Sequence, residues 1–249
     1  MIIEPDAWLT QIFGYQVLRV LPSEHTETTF CHKAFGETVR EASNSGRAFC
    51  YAKVPVDRID QVSALIDAGF TVVEVNVTFE CETIHESPRV MISSPLVRDA
   101  EDRDDKVLLN IASTCFRYSR FHLDPLIPRH IADLVKREWV QNYLLGNRGD
   151  RLLVAEWEGE PVGFLCVLSV RNGGQRIGII DLMGVGTEHQ GKGVGKALIQ
   201  GHIATAFRRY DMLKVGTQMA NIPSMRLYES CGYRIRQTAY VLHAHVEGS

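Results

Sequence analysis

Three features are missing from this 249-residue sequence: paired cysteines, a surplus of basic residues and long apolar runs. The six cysteines form no Cys-x-x-Cys pair, and Cys166 stands in an apolar run, which is typical of reduced, buried thiols and not of disulfides or a zinc site. The formal net charge of -3 lacks the excess of basic residues that is typical of a nucleic-acid-binding protein. No apolar stretch approaches the roughly 20 residues that span a bilayer, and the N-terminus has no signal-peptide pattern. We therefore expect a cytoplasmic protein with no bound metal and no nucleic-acid or membrane partner.

The composition, with 45% hydrophobic and 23% charged residues, suits a globular protein with a substantial core. One stretch interrupts the chain: residues 82–95 are polar, contain two prolines and lack clear periodicity. The sequence therefore predicts a small N-terminal α/β domain over residues 1–81, a linker over 82–95 and a larger domain over 96–249.

In the larger domain, apolar spacing and turn residues predict strands early and an alternation of strands and helices later. This order predicts an α/β fold with a mixed sheet. The predicted strands cover residues 95–98, 151–157, 162–170, 177–185, 213–218 and 233–243, and the predicted helices cover 99–116, 129–145, the stretch from the glycine-rich loop to about 210, and 222–230.

The N-terminal part contains an echo of the C-terminal end. Residues 49–79 and residues 214–243 both read as strand, helix, a glycine followed by an aromatic residue, and strand. An internal duplication and a common strand–helix–strand unit both explain this likeness. The N-terminal copy has no glycine-rich loop before it and lacks the polar residues of the C-terminal copy.

The strongest local signal is the segment Gln190-Gly191-Lys192-Gly193-Val194-Gly195-Lys196, which follows a predicted strand and opens a predicted helix. The first N–H groups of a helix have no internal partner, and the helix dipole makes that end positive. Glycines let the backbone approach a bulky anion closely. The segment therefore predicts a pyrophosphate-binding loop with lysines at its rim. The alternative is a glycine-rich helix start that binds no ligand.

Three nucleotide-binding patterns compete for this loop. The NTPase phosphate-binding loop requires Ser or Thr after Gly-Lys, but Ala197 follows Lys196. The dinucleotide fingerprint requires Gly-x-Gly-x-x-Gly, and the glycine spacing here is shorter. The pattern Gln/Arg-x-x-Gly-x-Gly/Ala is matched in full by Gln190, Gly193 and Gly195.

This loop, the strand before it and the later segment from Asn221 through Leu227-Tyr228-Glu229 to Gly232-Tyr233 together resemble the GNAT superfamily of acyl-CoA N-acyltransferases. The resemblance covers about residues 89–243. It implies a GNAT domain that takes acetyl-CoA as co-substrate and needs no metal. It also implies direct transfer of the acetyl group to an amine through a tetrahedral intermediate.

The resemblance assigns roles to individual residues. Backbone groups of Met183 and Val185, on a strand that splays from its neighbour, would pair with pantetheine amides, and the N–H near Met183 would also stabilise the oxyanion. Tyr228 would protonate the leaving thiolate as general acid, although a core aromatic is the alternative. Asn221 would contact CoA, cap the following helix, or do both.

The general base is less defined. Asp181 is the first candidate, since the period of two along a strand predicts that it shares a face with Met183 and Val185. His122 and Asp124, in a proline-bounded loop, are alternatives, and the amine could also arrive neutral.

A looser resemblance concerns the acceptor. The N-terminal element, the loop over residues 119–125 and the ending over 236–240 look like bacterial nucleotide-sugar N-acetyltransferases, which carry a small, partial GNAT-like N-terminal domain. This implies a nucleotide-linked amino sugar as acceptor, bound by Arg120, His122 and Asp124. A peptide or small amine is the alternative, favoured by an acidic groove near Tyr228, and a non-catalytic acyl-CoA-binding module is a second alternative. We expect residues 1–81 to bind no CoA and to support the fold, the acceptor side or a homodimer contact.

Overall fold

A computed structural model describes residues 2–21, 47–82, 95–206 and 208–247. Almost all of the predicted 82–95 linker lies outside these residues, so the domain boundaries stay a prediction. Within the described residues, ten strands form one mixed sheet, and the predicted α/β class is confirmed. The strands are β1 (Ile2–Pro5), β2 (Gln16–Leu21), β3 (Ala48–Pro55), β4 (Thr71–Glu82), β5 (Leu96–Asp99), β6 (Arg151–Trp157), β7 (Glu160–Asn172), β8 (Gln175–Val185), β9 (Met212–Gln218) and β10 (Arg234–Val246).

The strand order is β1-β2-β3-β10-β4-β9-β8-β7-β6-β5, so the N-terminal strands do not form a sheet of their own. Strand β10 lies between β3 and β4, and β4 lies between β10 and β9. The two segments that echo each other in sequence are therefore adjacent in the sheet. Strand β4 is an interior strand that the C-terminal half requires for continuous pairing.

Helices cover both faces of this sheet. Neighbouring residues of β7 show this. Phe164 and Cys166 pack in one apolar cluster with the helices Asp105–Thr114 and Arg129–Leu144, whereas Leu165 and Val167 pack in another cluster with the helix Val194–Ala206. None of the helices in the described residues is long and apolar enough to cross a membrane. The helices are α1 (Ala7–Phe13), α2 (Ile59–Asp67), α3 (Asp105–Thr114), α4 (Arg120–Leu123), α5 (Arg129–Leu144), α6 (Val194–Ala206) and α7 (Ile222–Ser230).

The predicted helix over residues 99–116 begins later than expected. Its acidic first turns instead form a 3-10 turn at Asp102–Asp104, and helix α3 starts at Asp105. The Asp104 carboxylate accepts a hydrogen bond from the Glu101 N–H at 2.8 Å and pairs with Arg98 at 2.6 Å. These contacts hold the entry to the helix in a tighter turn.

Strands β8 and β9 separate at their C-terminal ends. Their parallel pairing runs from Ile177 opposite Met212 to Ile180 opposite Val215 and goes no further, although β8 continues to Val185 and β9 to Gln218. The gap expected beside β8 is therefore present, and it opens towards the glycine-rich loop.

Candidate active site

A cavity of about 1260 Å³ passes through the gap between β8 and β9. On one face of the sheet it is lined by Gly193 and Lys196, at the start of α6. On the other face it reaches Lys136 and Trp139 of α5. A ligand can therefore extend from one face of the sheet to the other.

The glycine-rich loop has the backbone shape that a pyrophosphate cradle needs. Gly191 and Gly193 adopt φ angles of 74° and 86°, a region that favours glycine. A Cβ atom placed on Gly193 would meet no protein atom within 4 Å, so open space lies in front of the loop. The Ala197 N–H donates to the Gly193 carbonyl at 3.0 Å, which leaves the N–H groups of residues 194–196 without an acceptor inside the helix.

The other loop residues have different surroundings. Gln190 and Lys196 line the cavity, whereas Lys192 is exposed and lies outside the lining. The Gln190 side chain donates to the Val185 carbonyl at 3.1 Å. A Cβ atom on Gly195 would lie 3.0 Å from a methyl carbon of Leu227, so this glycine allows α6 and α7 to approach closely.

Tyr228, on α7, has a tightly packed ring and a hydroxyl that has no hydrogen-bond partner among the described residues. The ring packs against Phe79 and Tyr233, with centroids 5.8 Å and 6.0 Å away, and only 4% of the residue is exposed. The residue lines the cavity, and its hydroxyl forms no hydrogen bond within the described part of the chain. Burial raises the pKa of this phenol, so it stays protonated at neutral pH. Its proton is available to a ligand.

Asn221 occupies the N-terminal end of the same helix. Its side-chain oxygen accepts a hydrogen bond from the Ser224 N–H at 3.3 Å, which caps α7. The residue also lines the cavity, so capping and ligand contact are compatible at this position.

Asp181 stands at a β-bulge of β8. Cys166 pairs with Leu182 and Val167 pairs with Ile180, which leaves Asp181 without a partner residue on β7. The bulge breaks the alternation of side chains along the strand. The predicted common face of Asp181 with Met183 and Val185 is therefore wrong, because those two pack with the α6 and α7 cluster while Asp181 binds residues of α5.

The Asp181 carboxylate is saturated with hydrogen bonds. It accepts from Trp139 at 2.7 Å, from Tyr143 at 2.8 Å and from two nitrogens of Arg148 at 2.7 Å and 2.9 Å. Burial alone would raise its pKa, but the bonds from Arg148 and Trp139 lower it on balance. Such a carboxylate is a weak proton acceptor, so the geometry weighs against Asp181 as general base.

Arg120 lies at the far end of the cavity and is held from two sides. Its guanidinium stacks on the Tyr51 ring at 3.9 Å from the centroid, and one of its nitrogens is 3.4 Å from His243 Nε2. His243 Nδ1 is 2.7 Å from Asp124 Oδ2. Burial lowers the pKa of His243 to about 4, so the ring is neutral at neutral pH. Nδ1 of the neutral ring carries the proton and donates it in a hydrogen bond to Asp124, which leaves Nε2 to accept from Arg120.

The other two predicted acceptor-binding residues do not line the cavity. Asp124 is buried beneath Arg120, where Oδ2 also lies 2.8 Å from His245 Nε2. The Asp124, His243 and His245 ligand atoms lie within 4.8 Å of one another, and these short hydrogen bonds account for their clustering. His122 is held by Ser119 at 2.6 Å and Asp133 at 3.0 Å.

Comparison with known proteins places these features in a family. The profile of the Acetyltransferase (GNAT) family matches residues 107–233, just over half of the chain. The protein belongs to the GNAT acetyltransferase family. The resemblance predicted from the loop and the Tyr228 segment is thereby confirmed, and the protein is an acyltransferase of a family that takes acetyl-CoA as co-substrate.

The relatives of this GNAT protein include two curated proteins. It is 26% identical over 199 residues to the dTDP-fucosamine acetyltransferase of Escherichia coli O6:H1, which covers 77% of this chain and 80% of that protein. It is 31% identical over 144 residues, 57% of this chain, to the spore coat polysaccharide biosynthesis protein SpsD of Bacillus subtilis (strain 168). The match spans 48% of the length of the Bacillus protein. A solved GCN5-related N-acetyltransferase from Kribbella flavida has the same fold, with a TM-score of 0.60 at 14% identity over 94% of this chain and 82% of that one.

Several residues that line this GNAT cavity at the end near Arg120 were missed by sequence reasoning. Lys136 is buried on α5, with its ammonium 5.0 Å from the Trp139 ring centroid, and burial lowers its pKa to about 8. Lys53, Glu74 and Asn76 come from the N-terminal strands β3 and β4. Their only signal in the sequence is a polar residue inside an otherwise apolar strand or helix.

We expect one acetyl-CoA per chain, although the N-terminal part echoes the GNAT segment. In that echo Leu65 takes the position of Tyr228, and Arg58, which makes no capping side-chain bond, takes the position of Asn221. Nothing there supplies free N–H groups at a glycine-rich helix start. Isothermal titration calorimetry should give a stoichiometry of one, and a value of two would contradict this expectation.

Proposed function

We propose that this protein transfers the acetyl group of acetyl-CoA to the amine of a nucleotide-linked amino sugar. The main support for this proposal is the excess of basic side chains that line the cavity beyond the glycine-rich loop. Beyond the glycine-rich loop, six basic residues line the cavity against three acidic ones, and one of the acidic residues, Asp181, is bonded to Arg148. The basic residues are Arg19, Lys53, Arg117, Arg120, Lys136 and Arg148, and the acidic residues are Asp6, Glu74 and Asp181.

Such an environment suits an anionic, aromatic ligand. Arginine binds phosphate through two parallel hydrogen bonds, and aromatic rings stack on nucleotide bases. Six aromatic residues line the same region: Trp8, Tyr51, Phe116, Tyr118, Phe121 and Trp139. A cationic peptide would instead need an acidic groove, so the lining does not favour a peptide acceptor. The dTDP-fucosamine acetyltransferase, matched over most of both chains, supports the same acceptor class.

The acetyl-CoA end would be held by this chain's backbone. The N–H groups of residues 191–196 would bind the pyrophosphate, with Lys196 adding charge and Asn221 at the edge. The Met183 N–H would face the thioester oxygen. The Val185 carbonyl already accepts one hydrogen bond from Gln190, and its second lone pair would accept from a pantetheine amide. Tyr228 would protonate the leaving sulfur.

The N-terminal part contributes to the acceptor side, since Tyr51, Lys53 and Glu74 line that end of the cavity. A non-catalytic acyl-CoA-binding module is disfavoured, because the family is one of acetyltransferases and Tyr228 lines the cavity. The cytoplasmic location and a homodimer contact stay predictions.

A thiol-release assay with acetyl-CoA tests this proposal on three acceptors: dTDP-linked 4-amino sugars, the same sugars without the nucleotide, and a lysine peptide. We expect turnover with the nucleotide-linked amines. Removing the nucleotide should lower kcat/KM by about 10–100-fold or more, since each hydrogen bond to a charged group contributes about 1.5–3 kcal/mol. Turnover of the peptide alone would contradict the proposal.

A charge-conserving variant sharpens this assay. Arg120→Lys keeps the positive charge but removes the planar fork and its stacking on Tyr51, so KM for the nucleotide-linked acceptor should rise. The matched control is Arg129→Lys, because Arg129 is exposed on α5 and outside the cavity. An unchanged acceptor KM in Arg120→Lys would remove Arg120 from the binding site.

A further inference from the structure

Lys136 is a buried cation without a structural partner for its charge. It lies on α5, is 7% exposed and lines the cavity. Its ammonium is 5.0 Å from the Trp139 ring centroid and 5.2 Å from that of Phe116, and it forms no hydrogen bond or ion pair within the described residues. Aromatic faces offset only part of the cost of burying a charge. An anion bound in the cavity would supply the missing partner.

Arg120 places a second unpaired cation beside Lys136. Both side chains approach the Phe121 ring, with Arg120 Cζ 4.3 Å and Lys136 Nζ 6.0 Å from its centroid. Arg120 is held by neutral His243 and by the Tyr51 ring, and no carboxylate of the described residues forms an ion pair with it. Burial, and after it the charge of Arg120, lower the pKa of Lys136 to about 8. An anion that binds both cations relieves their repulsion.

Two further cations continue from Arg120 towards the surface. Tyr51, on which Arg120 stacks, and Lys53 are two residues apart on β3, so they point to the same face of the sheet. Arg19 of β2 lies directly opposite Tyr51 in the parallel pairing of the two strands. Both Arg19 and Lys53 are exposed and line the cavity. The result is a row of four cations from the interior of the cavity to its edge, here called the cation row: Lys136, Arg120, Lys53 and Arg19.

The inner end of the cation row lies beside the predicted thioester site. Lys136 acts electrostatically on Cys115, and a Cβ atom placed on Gly184 would lie 2.9 Å from Cys115 Sγ. Gly184 follows Met183, whose N–H is the predicted oxyanion donor. The acceptor amine has to reach this end to attack the thioester, so the rest of the acceptor extends outwards along the row.

We propose that the cation row binds the diphosphate of a nucleoside diphosphate sugar, with Lys136 and Arg120 on the phosphate next to the sugar. Lys53 and Arg19 then bind the phosphate next to the nucleoside. The assignment rests on the proposed acetyl transfer and deepens it, because it names the diphosphate as the group that is recognised. A carboxylate or a single phosphate would reach only one end of the row.

The carboxylates of the cavity offset only part of this charge. Glu74 acts electrostatically on three members of the cation row but forms an ion pair with none of them in the described part of the chain. Asp181 is paired with Arg148. A positive charge therefore remains for a ligand, and a diphosphate linked to a sugar and a nucleoside carries one negative charge on each phosphate.

The test compares the binding of dTDP and dTMP by isothermal titration calorimetry, with saturating coenzyme A present to occupy the glycine-rich loop. Lys136→Met keeps the length of the side chain and removes its charge. It should weaken dTDP binding by about 10–100-fold, the loss expected for one hydrogen bond to a charged group. It should leave dTMP binding nearly unchanged, because the single phosphate of dTMP lies at the outer end of the row. The matched control is Lys106→Met, since Lys106 is exposed on α3 and outside the cavity.

A variant at the outer end of the row gives the opposite pattern. Arg19→Met removes a cation that binds the phosphate next to the nucleoside, and both ligands carry that phosphate. It should therefore weaken dTDP and dTMP binding by similar factors. A loss confined to dTDP would contradict the order of the two phosphates along the row.

The melting temperature supplies a readout that needs no ligand. Lys136 is charged at pH 7 and has no partner in the described residues, so Lys136→Met should raise the melting temperature of the ligand-free protein. A lysine with a merely structural role would give a lower melting temperature when replaced. The same measurement shows that the variant is folded, and Lys106→Met should melt at the wild-type temperature.

The outcomes separate this proposal from the proposed function. Equal losses of dTDP and dTMP affinity in Lys136→Met, or no loss of either, overturn the placement of the diphosphate. Wild-type protein that binds dTDP no more tightly than dTMP also overturns it, even if nucleotide-linked amines are acetylated. If wild-type protein binds dTDP through Lys136 but acetylates no nucleotide-linked amine, the proposed function fails and the diphosphate site stands.

Discussion

Tyr228→Phe is expected to lower kcat by about 10²–10⁴, the usual range of general acid catalysis. The ring packing against Phe79 and Tyr233 is retained, while the only proton donor on that side chain is lost. The KM for acetyl-CoA should change little, because the phenol acts mainly in the transition state. Steady-state kinetics of thiol release measure both constants.

The melting temperature distinguishes catalysis from packing. The Tyr228 hydroxyl has no hydrogen-bond partner among the described residues, so its removal should leave thermal stability nearly unchanged. Tyr233→Phe is the matched control, since Tyr233 is fully buried in the same cluster, has an unpartnered hydroxyl and lies outside the cavity. That variant should keep normal turnover. Turnover of Tyr228→Phe within a factor of about three of wild type would exclude the phenol from the mechanism.

Gly193→Val is expected to abolish detectable acetyl-CoA binding. The φ angle of 86° is strained for a β-branched residue, and the added side chain would occupy the open space in front of the loop where a phosphate would lie. Each charge-assisted hydrogen bond to a phosphate contributes about 1.5–3 kcal/mol, so losing two of them weakens affinity by at least about 100-fold. Isothermal titration calorimetry with acetyl-CoA is the direct measurement.

A second glycine controls for backbone strain in this experiment. Gly174 has a φ angle of 85°, has no atom within 4 Å of an added Cβ and lies in the turn between β7 and β8, away from the cavity. Gly174→Val imposes the same strain without obstructing the loop, and it should bind acetyl-CoA normally. Normal affinity in folded Gly193→Val would refute the predicted pyrophosphate site.

Local features of the site were predictable because short segments of the chain encode them. The glycine-rich loop is contiguous with the helix it starts, so helix polarity and the freedom of glycine at positive φ are visible in seven consecutive residues. Asn221, Tyr228 and Gly232 likewise belong to one short helix and its ends. These segments sufficed to predict the family, which the family profile confirms, whereas the acetyl-CoA site that they indicate stays a prediction.

The proposed acceptor end of the cavity depends on contacts between distant parts of the chain. Arg120 is positioned through His243, which is 123 residues away, and nothing local links the two. Asp181 was assigned to a face by its strand period, and a single bulge moved it towards α5. A bulge follows from pairing with a neighbouring strand, and one strand's pattern does not reveal it.

The amino-acid sequence by itself was enough to predict the family, and it singled out the glycine-rich loop and Tyr228 as site candidates, since each of these signals lies within a short stretch of backbone. Only the tertiary structure decided that β4 enters the sheet between β9 and β10, which brings Glu74 of the N-terminal part into the same cavity as Tyr228. Strand order is set by the burial and pairing of whole strands. The periodicity of a single strand is the same whichever neighbours it takes.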